Sequence, residues 1–180
     1  MSRPPRARES VLDAFEAILV SDGERAATMD ATARAAGVSK GGLLYHFASK
    51  DALEGGLIQR LAALIDEDVA AIVSAPDGPV RYFLRSSVMA DDPLDRAIVA
   101  VSRLAQGGSD AASRALHEMR QRWVDALSPH VRDATALDLV LLVSDGLYFN
   151  NALGGDAAAP VPTGRALDAL IDLVEQASRP

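Results

Sequence analysis

A chain of 180 residues, 49% of them hydrophobic, can bury a sizeable core as one domain or as a small head on a larger body. It has no cysteine, which excludes disulfides and thiolate metal sites. No apolar run is long enough to span a bilayer, and none follows a basic start as in a secretory signal, so the expected setting is cytoplasmic with no membrane partner. The first element in the chain is an amphipathic helix carrying Val11, Leu12, Phe15, Ile18 and Leu19 on one side and ending near Gly23.

The next segment, residues 28–50, carries the most information. Thr28 is a good N-cap, because its hydroxyl can accept an orphan amide of a first helical turn. Gly37 suits the left-handed residue that ends that helix. Ser39 can cap a second helix of about two turns, and Ser49 a third. Leu43 and Phe47 stand four apart and share one face. Lys40, Tyr45 and His46 fall on other faces, within reach of a phosphate or a base edge. Two short helices separated by a turn at Val38 outline a helix-turn-helix, which lays its second helix in the major groove of DNA.

The remaining elements also read as helices. Leu53, Leu57, Leu61, Leu64, Ile65, Val69 and Ile72 predict a long helix stopped by Pro76-Asp-Gly-Pro79. Gly55-Gly56 in its first turns is costly for a helix, and fits either a hinge or a close helix contact. Further helices are expected over about 80–90, 94–105, 110–128, 135–153 and 163–178. The segment from Leu137 to Phe149 is apolar on nearly every side and must be buried all round, inside the protomer or at a dimer seam. Leu142 and Leu147, together with Leu167, Leu170, Ile171 and Val174 of the last helix, are the candidates for that seam. Met119 and Trp123 lie four apart on one helix face. With Phe83, Met89, Tyr148 and Asn151 they would line an apolar effector pocket, or else belong to plain core.

The net charge of −7 argues against a polyanionic partner, but its distribution reverses that argument locally. Residues 1–50 hold seven Lys and Arg against six Asp and Glu, a net +1; residues 51–180 hold eleven against nineteen, a net −8. Residues 31–50 contain no acid at all and include Arg34, Lys40 and Lys50. DNA binding needs a local basic surface, not a basic protein. No enzyme motif survives inspection. His117-Glu118 opens like a zinc-protease helix, but Gln121 stands where the second histidine is required. Phosphate-binding glycine loops and Gly-x-Ser-x-Gly are missing, and His117 and His130 read as surface residues. The acid clusters Asp66-Glu67-Asp68 and Asp91-Asp92 read as solvated. No cofactor or metal is expected.

The ungapped run Ala36-Gly37-Val38-Ser39-Lys40-Gly41-Gly42-Leu43-Leu44-Tyr45-His46-Phe47-Ala48-Ser49-Lys50-Asp51-Ala52-Leu53 strongly resembles the DNA-binding domain of the TetR family of bacterial repressors, over roughly residues 8–55. The resemblance implies an all-α fold: an N-terminal three-helix helix-turn-helix domain over 1–50 and a C-terminal helical ligand-binding and dimerisation domain over 51–180. It further implies a ligand-responsive repressor, binding a palindromic double-stranded DNA operator as a homodimer and released by a small-molecule effector. The candidate DNA contacts are Thr28, Ser39, Lys40, Gly41, Gly42, Tyr45, His46 and Lys50. The chain departs from the family's habit at Gly42 (commonly Thr), Leu44 (commonly Tyr), Asp30 (often basic) and Thr32 (often aliphatic). The rival reading is an all-helical small-molecule-binding or scaffold protein without DNA binding.

Overall fold

The computed structural model describes residues 4–88, 92–153 and 161–180. Among them the elements are all helical: α1 (Pro4–Asp22), α2 (Met29–Ala35), α3 (Lys40–His46), α4 (Lys50–Ser74), α5 (Pro79–Ser86), α6 (Pro93–Gln106), α7 (Asp110–Leu127), α8 (Ala134–Leu153) and α9 (Gly164–Ser178), with one 3-10 turn at Ser128–His130. The start signals work as their chemistry requires. The hydroxyls of Thr28, Ser39 and Ser49 accept from the amides of Ala31, Gly42 and Ala52 at 3.2, 3.1 and 3.1 Å. Gly37 ends the α2 segment at φ +68°, where an L side chain would be strained.

The helix expected over 80–90 ends at Ser86 instead. The hydroxyls of Ser86 and Ser87 both donate to the carbonyl of Phe83, at 3.0 and 2.8 Å. They saturate the acceptor that the next helical amide would need, a known way for serine to compete with helix.

By compactness the described residues form two units. The first takes residues up to Ile65 with Asp92–Met119; the second takes Asp66 onward through α5, and Arg120 to the C-terminus. In the first, α1 packs against α2, α3 and α6. Its core holds Val11, Leu12, Phe15 and Leu19 of α1, Leu43 and Phe47, and the α4 stripe Leu53, Leu57, Leu61 and Ile65. That stripe repeats every four residues, so it faces one way along the helix. Gly56 belongs to the same contact. A Cβ built there would lie 2.8 Å from Phe47 Cε1 and 3.1 Å from Leu12 Cδ2, whereas one at Gly55 meets nothing within 4 Å. Of the two roles open to this glycine pair, Gly56 serves close packing.

Ion pairs tie the same helices together. Arg60 of α4 reaches Glu9, Asp13 and Glu16 of α1 at 2.8, 2.8 and 3.2 Å, and Arg96 of α6 reaches Glu16 at 3.6 Å. The hydrogen bond from Arg60 holds the Glu9 carboxyl below its ordinary value, against a smaller opposing effect of burial. Burial opposes the Arg60 charge most strongly, yet its bonds to Glu9, Asp13 and Glu16 outweigh that and raise its pKa.

In the second unit, α5, α8 and α9 pack pairwise around Phe83, Leu84, Val140, Leu141 and Ile171. Arg81 of α5 binds Asp172 and Glu175 of α9, and those two hydrogen bonds raise its pKa. Ser87 and Ser144 bury a hydroxyl pair at 2.8 Å. Since the Ser87 proton goes to the Phe83 carbonyl, Ser144 is the donor in that pair. The all-round burial expected of α8 does not hold within the protomer. Leu139, Leu142 and Phe149 lie on one exposed side of it.

Candidate functional site

The rotation of α3 about its own axis is fixed by two buried side chains, Leu43 within the helix and Phe47 at its C-cap. With Leu43 turned inward, Lys40, Gly41, Leu44 and Tyr45 are left outward. Tyr45 is the most open, at 84% exposure, and Leu44 is 42% exposed. Gly42 and His46 are half-buried, and the His46 ring meets the edge of Tyr45 at 5.1 Å between centroids. A Cβ at Gly42 would come within 3.3 Å of the Ser39 hydroxyl, so the Thr usual here would crowd the cap. Thr28 and Ser39 are exposed, and capping uses only their acceptor capacity, so each hydroxyl proton is still available to a phosphate oxygen.

The basic groups around this surface differ in their freedom. Lys40 pairs with Asp30 at 2.9 Å, both of them well exposed. Lys50 is half-buried against Glu24, a partner that sequence reasoning did not assign to it. Arg34 is exposed at the end of α2. The Arg8 guanidinium lies over the Phe47 ring at 5.1 Å, so the α1 cation is anchored beside α3.

Of the six residues expected to line an effector pocket, Phe83 and Trp123 are brought together, with ring centroids 5.4 Å apart and planes at 63°. Trp123 Nε1 donates to Asp68 Oδ2 at 2.8 Å. Arg122 likewise binds Asp66. The acid cluster of α4 read as solvated therefore holds α7 side chains. A half-buried indole N–H needs an acceptor, and Asp68 supplies it. Tyr148 and Asn151 are half-buried on α8, Met119 falls in the first unit, and Met89 lies outside the described residues. A cleft of about 500 Å³ in the first unit is lined by Glu24, Asp51, Glu54 and the Gly107–Ser109 turn, and contains none of these six. Its carboxylates suit an apolar effector poorly.

The six residues assigned to a dimer seam also separate. Leu147, Leu167, Ile171 and Val174 face the core of their own protomer, and Leu170 is half-buried. Leu142, at 67% exposure, stands out from α8 beside Leu139 and Phe149, and Leu173 is exposed on α9. On α8, a helix apolar on all sides, sequence gives no phase to tell Leu142 from Leu147. Among the described residues no group of His, Asp and Glu could hold a metal ion, and no helix is long and apolar enough to cross a membrane.

Two family profiles match the chain. One described as "Bacterial regulatory proteins, tetR family" covers residues 11–54, and one described as "Tetracyclin repressor-like, C-terminal domain" covers residues 77–175. Among solved structures, a protein described as a TetR-family transcriptional regulator from Rhodococcus sp. is 21% identical with a TM-score of 0.64, covering 94% of this chain and 98% of that one. The regulator SCO7518 from Streptomyces coelicolor A3(2) is 25% identical with a TM-score of 0.61, covering 95% and 99%. The ketosteroid transcriptional regulator KstR2 of Mycobacterium tuberculosis is 19% identical with a TM-score of 0.66, covering 100% and 97%. No curated protein matches the sequence.

Proposed function

The chain belongs to the TetR family of bacterial transcriptional regulators, non-enzymatic DNA-binding proteins, and from that membership we propose that it is a repressor which binds a palindromic operator as a homodimer and leaves it when a small apolar or aromatic effector binds. The observation that carries the reading is the outward face of α3, with Lys40, Leu44 and Tyr45 standing clear of the buried Leu43 and Phe47. In this reading residues 1–50 read DNA, with Thr28, Ser39 and Lys50 positioning the head on phosphates and Lys40, Tyr45 and His46 facing bases. Residues 51–180 bind the effector and the second copy.

The two copies would meet through Leu139, Leu142 and Phe149 of α8 and Leu173 of α9, apolar groups that a lone protomer leaves in water. The edge-on pair Phe83–Trp123 is the proposed wall of the effector site. An effector shifts the DNA-binding equilibrium only by its difference in affinity for the two states, so it must bind the released form better. A mobility-shift assay against DNA upstream of the protein's own gene, with a scrambled duplex as control, tests the reading. A retarded band of dimer stoichiometry on the upstream DNA alone is expected. Equal retention of both duplexes, or of neither, overturns it and leaves the helical scaffold reading in its place.

A further inference from the structure

We propose that Leu44 reads the C5 methyl group of a thymine, so that each half-site of the operator carries a thymine recognised by apolar contact. The inference rests on the DNA-binding reading above and names one feature of the sequence that reading requires.

A single exposed leucine on a protein surface is ordinary. This one is informative because of its company. α3 has only seven residues, and its outward side chains are Lys40, Leu44 and Tyr45, with Gly41 adding none. Lys40 and Leu44 are one turn apart on the same face, about 6 Å along the axis, or less than two base steps. Whatever base edge Lys40 or Tyr45 meets, Leu44 is pressed against a neighbouring one. Residues 31–50 carry no acid, and Asp30, which stands beside this face, is paired with Lys40.

The major-groove edges of guanine, adenine and cytosine present acceptors and donors, and thymine alone adds a methyl group. Leu44 has no hydrogen-bonding atom. Against N7, O6, N6 or N4 it would strip water from a polar group and return nothing, which costs affinity. Against a thymine methyl it buries carbon on both sides. Discrimination therefore comes from both directions, as reward for thymine and penalty for the other three. On the preceding turn only Lys40 carries an outward side chain, and the glycines at 41 and 42 add none, so the leucine can approach closely.

The test removes only the methyl. The preferred duplex is first selected by the wild-type protein from a randomised pool. Each thymine in a half-site is then replaced singly by deoxyuridine, and affinities are measured by fluorescence anisotropy for the wild type, Leu44→Ala and Leu44→Gln. Melting curves confirm that the variants fold, as expected for an exposed position. At one thymine per half-site, deoxyuridine should weaken the wild type by about fourfold, and by about fifteenfold when both half-sites are changed. Both variants should be indifferent to that change while keeping any sensitivity at other thymines. A wild type indifferent to every substitution overturns the proposal, and so do variants that keep its full sensitivity at each position. If the wild type selects no sequence at all, the operator reading itself fails and this inference falls with it. A selected sequence without methyl sensitivity leaves the regulator standing and sinks only the role of Leu44.

Discussion

Thr32 of α2 is fully buried, and its hydroxyl is the one buried side-chain polar atom without a partner among the described residues. Desolvating a hydroxyl without returning a hydrogen bond costs about 1–3 kcal/mol in proteins. Thr32→Val replaces the hydroxyl with a methyl of nearly the same shape, and both residues are β-branched, so helix propensity changes little. The substitution should therefore stabilise the head by about 1 kcal/mol or more. Urea unfolding followed by circular dichroism should show a higher midpoint at unchanged slope, since the surface exposed on unfolding is the same. In a thermal scan, about 1 kcal/mol corresponds to roughly 2–4 °C for a chain of this size. Thr32→Ala is the control. It also removes the unpartnered hydroxyl but leaves a void, so it should fall below Thr32→Val by the cost of two lost methyls, about 1–2 kcal/mol after alanine's better helix propensity is set against it. DNA affinity should be untouched, because the side chain does not reach the surface. A loss of stability in Thr32→Val would mean that the hydroxyl has a partner in solution and would refute the reasoning.

The adjacent glycines should respond oppositely to alanine: Gly55→Ala gains about 0.5–1 kcal/mol from helix propensity, and Gly56→Ala loses about 1–3 kcal/mol against Phe47 and Leu12, both read from urea midpoints. Leu142→Glu should turn the proposed dimer into a folded monomer in sedimentation velocity, whereas Ile171→Glu should unfold the protein, since its position is fully buried. The Glu9 carboxyl, lowered by Arg60 from an ordinary value of 4.5, contributes stability above that pH and loses it as pH falls through the folded value. Melting temperatures of the wild type and Glu9→Gln should differ at pH 6 and converge on acidification; a constant gap would show that the clasp does not titrate.

Local rules explain what was legible in the sequence. Thr28, Ser39 and Ser49 are caps whose action depends on residues three away, so their helices start where the sequence places them. Leu43 and Phe47 fix the face of α3 by spacing alone. Ion pairs between distant segments were not legible: nothing near Lys50 names Glu24, and nothing near Arg60 names three carboxylates of α1. The phase of α8 was hidden for a different reason. Leucines and valines on every side give no polar stripe to orient it, so which of Leu142 and Leu147 faces the core depends on where α5 and α9 pack. The Trp123–Asp68 bond was hidden within a run of acids that alone reads as solvated surface.

The central claim is that the outward face of α3 reads base sequence, and the ratio of affinities for the selected operator and a scrambled duplex tests it most directly. That ratio, measured for the wild type and for Tyr45→Ala at one fixed salt concentration, should be on the order of 10³ or more for the wild type. It should fall at least tenfold in the variant, with affinity for the scrambled duplex nearly unchanged, because Tyr45 is 84% exposed and supports no core. A ratio near one for the wild type, or a Tyr45→Ala ratio equal to that of the wild type, would contradict the account.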